Sequence, residues 1–292
     1  MENQLTVIIG AYNEEEGIKN TINELMPLLK KYGWNLIVVN DGSQDKTGEI
    51  LSQTEGIKII EHPYNKGYGS ALKTGIQNSD SELIAFYDAD GQHRPEDLES
   101  LYMNMGNLDM IIGKRGKDSH QDWIRKPGKW MLTKVANFLT GRKIPDLNSG
   151  LRVIKRNIIK RMLHLFPGGF SFSTTSTVAF MNMGHNVDYF PIKVRKRIGK
   201  SSVRQLKHGS KTILLIFRLI VLFNPLKVFI PSSFILFLFG VVYEVIFGII
   251  LHPGISLLPA AFLIILSSIL IFFFGLVVDQ VSELRKHLHE NN

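Results

Sequence analysis

Two apolar runs near the carboxyl end constrain this chain more than any other feature. Val228 to Leu251 and Ile255 to Val278 carry a single charged residue between them, Glu244. Each is long enough to cross ~30 Å of hydrocarbon at ~1.5 Å of helical rise per residue. Only His252-Pro253-Gly254 separates them, too short a loop to leave the membrane surface. They are expected to form a transmembrane hairpin with both ends on one side. Glu244 falls in mid-span, where an ionisable group is costly; a functional role and simple pairing within an oligomer both remain open for it.

Charge supports the hairpin. Between Lys193 and Lys227 there are ten Lys or Arg and no Asp or Glu, whereas the whole 292-residue chain carries a net +8. The basicity is therefore local, and it leads straight into the apolar runs. Such a belt binds anionic lipid and holds its side cytoplasmic. No nucleic-acid recognition motif accompanies it, so no nucleic-acid partner is expected. Apolar residues from Gln205 to Phe223, with Lys207, Lys211 and Arg218, suggest a helix lying in the interface, broken by Pro225. Arg285 and Lys286 close the second span, so both termini are expected in the cytoplasm. Cys is absent, nothing argues for secretion, and the first residues lack the basic and apolar regions of a signal peptide. The expected organisation is a cytoplasmic domain over 1–204, juxtamembrane helices over 205–227, the hairpin over 228–278 and a cytoplasmic tail over 279–292.

The amino-terminal part alternates strands and helices, which implies α/β architecture with a mostly parallel sheet. Apolar strands are expected at Leu5–Ile9, Leu36–Val39, Ile57–Ile60, Leu83–Phe86 and Asp109–Ile112, with a late strand at Val187–Pro191. Helical spacing follows from Ile18 to Leu29, through Ala71, Leu72 and Ile76, over Lys126–Phe138 and over Asn157–Leu165. Glu14, Glu15 and Glu16 are expected to open the first helix at the positive end of its dipole. Asp45 is expected to cap the second. Each loop after an early strand gathers on one sheet edge, where open α/β sheets bind ligands.

One of those loops is acidic: Phe86-Tyr87-Asp88-Ala89-Asp90-Gly91-Gln92-His93. In extended backbone, residues two apart point the same way, so Asp88, Asp90 and Gln92 would offer oxygens to one volume. Two carboxylates that close repel, and a divalent cation removes the conflict. All donors are hard oxygens, which favours Mg²⁺ or Mn²⁺ over zinc, with ligand positions left for substrate phosphates.

Several loops then agree. Ile8 through Glu15, Val38-Val39-Asn40-Asp41-Gly42-Ser43-Gln44-Asp45, Asn65-Lys66-Gly67 and Asp88-Ala89-Asp90-Gly91-Gln92 stand in the order and spacing of the family 2 glycosyltransferases. The likeness extends to Asp146-Leu147-Asn148-Ser149-Gly150-Leu151-Arg152, to Pro191 through Ser202, and to the terminal hairpin. The chain most resembles the polyprenyl-phosphate branch, typified by dolichyl-phosphate mannose synthase and the membrane-anchored GtrB-type enzymes.

The resemblance implies a GT-A fold, Rossmann-like with flanking helices, plus interfacial helices and the two-helix hairpin. It places Ala11, Tyr12, Glu14 and Asp41 at the nucleotide's base and ribose, and Lys66 at the diphosphate. Asp88, Asp90 and Gln92 would hold the metal and donor. Asp146 would lie near the sugar or acceptor, and Arg197, Lys200, Ser201 and Ser202 would grip the acceptor phosphate. Catalytic roles fall to Asp90, Asp146 and Arg197. Arg115 and Arg125 are candidates for further phosphate contacts or for surface charge.

The implied reaction is metal-dependent inverting transfer of one sugar from a UDP- or GDP-linked donor to dolichyl or undecaprenyl phosphate. The alternatives are a different lipid or glycan acceptor, or a non-catalytic membrane protein that binds nucleotide sugars. A homo-oligomer through paired hairpins is left open. Three departures stand out. Gly10 replaces the family's usual Pro, Phe172–Thr177 is hydroxyl-rich where many relatives carry a Glu, and no Gln-x-x-Arg-Trp motif of processive synthases follows.

Overall fold

The computed structural model describes residues 4–116, 126–198, 208–250 and 258–290. The chain divides into two compact units, 1–213 and 214–292.

The first unit is built on a seven-stranded sheet. Its strands are β1 (Leu5–Ala11), β2 (Asn35–Asn40), β3 (Lys58–Glu61), β4 (Leu83–Phe86), β5 (Met110–Arg115), β6 (Arg152–Lys155) and β7 (Val187–Ile192). They lie in the order β3-β2-β1-β4-β6-β5-β7. β1 pairs in parallel with β2 and β4, β2 with β3, and β5 with β7, while β6 runs antiparallel to both neighbours. Consecutive residues Val7, Ile8 and Ile9 are all fully buried, so β1 is covered on both faces, as a central parallel strand requires.

The helices of this unit are α1 (Ile18–Tyr32), α2 (Thr47–Ser52), α3 (Tyr68–Gln77), α4 (Pro95–Met103), α5 (Lys126–Thr140), α6 (Arg156–Arg161) and α7 (Phe172–Asn182). Ile18, Ile22, Leu25, Leu28 and Leu29 of α1 are buried, at the spacing that predicted the helix. Gly33 closes it in the left-handed conformation, its N–H donating to Leu29 O.

Three local expectations change. Glu14–Glu16 do not open α1: they form a preceding turn, with the N–H groups of Gly17 and Ile18 donating to Glu14 O. The side chain of Glu14 is thereby released from the helix terminus. The helix expected over 157–165 stops at Arg161 and is followed by a 3-10 turn at Leu163–Leu165. β6, α4 and α7 have no counterpart in the sequence expectations. Asp45 does not sit at the N-cap of α2, which is Lys46 without a side-chain cap bond; from the position before it, its Oδ1 accepts the Thr47 N–H at 3.0 Å.

The second unit contains most of α8 (His208–Phe223), then α9 (Leu226–Tyr243), which continues as a π-helical turn over Glu244–Ile250, and α10 (Pro259–Glu290). Leu226–Gly248 and Pro259–Leu284 are long and apolar enough to span a membrane. Only 11% and 17% of their apolar windows are buried within the chain, so these helices are not core helices of the described fold. Close packing holds the pair: the Phe229 and Phe274 rings lie 6.0 Å apart. Glu244 is partnered, its Oε2 accepting the Leu258 N–H at 3.0 Å just before α10. In α8, Leu214 and Phe217 are exposed while Ile216, Leu219, Ile220 and Phe223 are buried.

Candidate active site

The carboxyl ends of β1, β2, β3, β4 and β5 meet at one edge of the sheet, and the loops that leave them carry nearly every residue singled out above. Ala11 ends β1, buried, and its carbonyl accepts the Asp41 N–H at 2.8 Å. The loops after β1 and β2 are laced together. Asn13 N–H donates to Ser43 Oγ at 3.1 Å, and Gln44 N–H to Asn13 Oδ1 at 2.8 Å. Glu14 N–H donates to Thr47 Oγ1 at 2.9 Å. Asn13 takes a positive φ of 54° to make this possible, a conformation Asn tolerates better than most residues. Tyr12 is half-buried beside it. Lys66 is exposed, its Nζ 5.7 Å from the centre of the Tyr64 ring.

After β4 the chain is not extended. It turns through Ala89 and Asp90, so strand alternation does not bring Asp88 and Asp90 together, as the sequence reading supposed. The turn does so instead. Gln92 N–H folds back to Asp90 Oδ1 at 3.2 Å, and the Gln92 side-chain amide donates to Arg195 O at 3.4 Å. Asp88 is oriented by two neighbours. Tyr68 donates its hydroxyl to Oδ1 at 2.9 Å, and His93 Nε2 lies 3.0 Å from Oδ2. Gly150 backs onto this carboxylate so closely that a Cβ there would overlap it.

The two carboxylates are electrostatically unlike. Burial alone would raise Asp88, but the His93 bond and charge, the Tyr68 hydroxyl and the Arg115 charge together hold it below the ordinary range. Asp90 is raised, by burial first and by the Asp88 charge second, with Arg197 partly offsetting both. This is the conflict a cation relieves. The donor set fits a hard divalent ion: two carboxylates, one of them braced by a histidine behind it, at a site fed from solvent. Among the described residues no group of three acidic, His or Cys side chains could hold a metal alone, so remaining ligands would come from a bound diphosphate or water.

Arg197 occupies the centre of this arrangement. Its Nη1 donates to Asp90 Oδ2 at 3.1 Å and its Nη2 to Glu14 Oε1. The segment carrying it is stapled along the acidic loop, Arg195 N–H donating to Gln92 O at 2.9 Å and Ile198 N–H to Asp90 O at 3.0 Å. Lys200, Ser201, Ser202 and Arg125 lie outside the described residues. Asp146 is buried and held by Arg115, whose Nε and Nη2 reach its two oxygens at 2.7 and 2.8 Å. This bidentate pair engages the Asp146 carboxylate and fixes Arg115 at the end of β5.

Sequence reasoning missed Arg152. It is fully buried, yet no carboxylate lies within salt-bridge distance of it among the described ion pairs. Its Nη1 donates to Ser173 O, Ser176 Oγ at 3.0 Å and Thr177 Oγ1 at 3.3 Å, and its Nη2 to Ser149 O. A buried guanidinium without polar partners would cost several kcal/mol. The hydroxyl-rich stretch of α7 is its solvation shell, which explains the departure at Phe172–Thr177. Through Ser149, Arg152 also clamps the 146–150 loop beside Asp88.

Glu14 gives a measurable consequence. Its pKa is raised from the ordinary 4.5 to about 7, by burial first, with Arg197 opposing and Asp90 and Asp88 adding. The unfolded chain thus releases this proton before the folded chain does. Stability from this group is complete below pH 4.5 and is lost as pH rises through about 7. The metal-free protein is expected to melt at progressively lower temperature across that window. Glu14→Gln should flatten the slope; an unchanged slope would contradict the assignment.

Comparisons with known proteins bear on the family and the fold. Residues 6–163, more than half the chain, match Glycosyl transferase family 2, and residues 224–284 match the GtrB C-terminal hairpin. The chain belongs to glycosyl transferase family 2 and is a glycosyltransferase. An uncharacterized protein of Methanocaldococcus jannaschii is 34% identical over 172 residues, 56% of this chain and 69% of that protein. An undecaprenyl-phosphate 4-deoxy-4-formamido-L-arabinose transferase of Proteus mirabilis is 32% identical over 170 residues, 55% of this chain and 52% of that enzyme. Among solved structures, glucosyl-3-phosphoglycerate synthase of Mycobacterium tuberculosis superposes with a TM-score of 0.60 at 18% identity, covering 75% of this chain and 79% of that one. The same enzyme in complex with Mn²⁺, UDP and phosphoglyceric acid gives 0.57. These likenesses establish the GT-A fold.

Proposed function

We propose that this chain transfers one sugar from a nucleotide-diphosphate sugar to a polyprenyl phosphate at the cytoplasmic membrane face, with inversion at the anomeric carbon. The observation that carries the reading is the stapling of the Arg197 segment onto the Asp88–Gln92 loop. The group implied for the acceptor phosphate and the groups implied for the donor diphosphate converge on one cleft. The Proteus relative, named for its undecaprenyl-phosphate acceptor, and the mycobacterial fold neighbour, solved with Mn²⁺ and UDP, support it.

Asp88 and Asp90, with Gln92 beside them, would hold Mg²⁺ or Mn²⁺. When bound, the ion stabilises charge on the departing diphosphate. His93 and Tyr68 keep the Asp88 carboxylate aimed. The acceptor phosphate is already anionic at neutral pH, so it needs alignment more than a base. Arg197 and Arg115 supply fixed positive charge for that alignment. Attack opposite the leaving diphosphate inverts the anomeric centre.

In this reading residues 1–204 are the catalytic domain, 205–227 lie in the interface, 228–278 form the hairpin, and both termini are cytoplasmic. The chain lacks Cys, so single cysteines introduced at either end report sidedness directly through an impermeant thiol reagent. Labelling of either end from the outside would contradict the orientation.

Incubation of the purified protein with labelled UDP- and GDP-sugars, Mg²⁺ or Mn²⁺ and polyprenyl phosphate tests the reaction. The expected product is a labelled lipid labile to mild acid. An acid-stable product would point to a different acceptor, and no labelled lipid from any common donor would count against the proposal.

A further inference from the structure

Asp41 does not present open oxygens to the cleft. Its Oδ1 accepts from His62 Nδ1 at 2.6 Å and from the Lys66 N–H at 2.9 Å, and its Oδ2 accepts the Gly67 N–H at 2.8 Å. His62 in turn places Nε2 2.9 Å from Thr74 Oγ1 on α3, and its own N–H donates to Asn40 O at 2.9 Å. Asp41 and His62 are 2% and 7% exposed. The loop over this array is pressed close. Gly42, at a φ of 68°, sits where a Cβ would fall 2.5 Å from the Tyr64 carbonyl carbon.

We propose that His62 is a positioning residue for the donor. Through Asp41 it fixes the backbone of Lys66 and Gly67, and through the start of α3 it fixes the Tyr68 hydroxyl that donates to Asp88. The inference rests on the reading of this cleft as a nucleotide-sugar site.

The topology explains why one imidazole does this. His62 directly follows β3, and Thr74 lies inside α3; the loop 63–67 runs between them. The ring therefore ties the entry of the loop to the helix at its exit, with Asp41 as the knot in the middle. The carboxylate accepts one loop N–H on each of its oxygens, which sets its plane against the loop. The His62 bond adds a third contact to Oδ1, and through Thr74 it ties that plane to α3. An Asp–His–hydroxyl array also occurs in nucleophilic catalysis. Here the carboxylate is committed to loop amides, and the hydroxyl belongs to the interior of a helix packed on β1 and β2. The array orients; it does not attack. An ångström of drift at Lys66 or Tyr68 is enough to weaken a bound donor.

The test uses the full chain with Mn²⁺, measuring UDP and GDP binding by calorimetry alongside steady-state rates. His62→Leu removes both ring bonds. It is expected to raise the nucleotide Kd and the donor KM by about ten-fold, with kcat changed less than about three-fold. His62→Asn keeps an N–H donor where Nδ1 stood and is expected to recover most of the affinity. Thr74→Val removes only the outer bond and is expected to raise the donor KM by about three-fold; it serves where His62→Leu does not fold. Wild-type donor KM in His62→Leu, or equal loss in the Leu and Asn variants, overturns the proposal. Wild-type protein that binds neither nucleotide overturns the donor reading itself, a separate result.

Discussion

Asp90→Asn is expected to lower kcat by about a thousand-fold, with the fold intact. Asn preserves the local turn, because its side-chain oxygen still accepts the Gln92 N–H that Asp90 Oδ1 accepts at 3.2 Å. It relieves the burial and the Asp88 repulsion that raise the Asp90 pKa, and it removes the Oδ2 acceptor of Arg197 Nη1, so the two effects on melting oppose each other. What it removes is one of the two negative charges that make the site attractive to a divalent cation. With Asp88 alone, the described residues offer one carboxylate, and the charge that develops on the leaving diphosphate loses its counter-charge. Initial rates at saturating donor, with Mn²⁺ varied, read the effect, and Mn²⁺ binding followed by its paramagnetic signal reads the cause. Turnover within ten-fold of wild type would remove the metal site from this loop.

That prediction was legible from the tripeptide Asp88-Ala89-Asp90, although the geometry behind it was not. The sequence placed the loop at a strand's carboxyl end, and β4 ends there, at Phe86. It assigned the convergence to strand alternation, whereas a turn closed by Gln92 produces it. The early parallel strands were legible because each is a short apolar run, and those of β1, β2 and β5 end directly at Gly10, Asn40 and Gly113. β6 was not. Its four residues follow a turn-rich loop, and only pairing with β4 and β5 makes them a strand. α7 was hidden for a different reason. Ser and Thr favour turns and caps over helix interiors, so Phe172–Thr177 carries a poor local signal. It becomes helical because Arg152 requires its hydroxyls, a partner about two dozen residues away in sequence. Asp41 shows the converse. The sequence put it at the nucleotide, but its oxygens turn to His62, Lys66 and Gly67. A single-residue assignment cannot reveal that without the loop after β3.

Arg197→Gln is expected to move two affinities in opposite directions. In the ligand-free chain the guanidinium bonds Asp90 and Glu14, the same carboxylates that a cation and the donor would need. It acts there as a built-in counter-ion. A divalent cation arriving at Asp90 repels it, and the released guanidinium is then available to a phosphate. Gln keeps hydrogen-bonding capacity but no charge, so it neither competes with the cation nor attracts the anion. Mn²⁺ measured without nucleotide should therefore bind several-fold tighter to the variant. The kcat/KM for polyprenyl phosphate should fall by about a hundred-fold, the loss of one charge-assisted bond to an anion. Arg197→Lys, which keeps the point charge but not the fork, should fall between the two on both measurements. General disruption of the site cannot produce this pattern, since it would weaken both ligands together. Mn²⁺ affinity that falls in Arg197→Gln, or acceptor kinetics that do not change, would separate Arg197 from the role its position suggests.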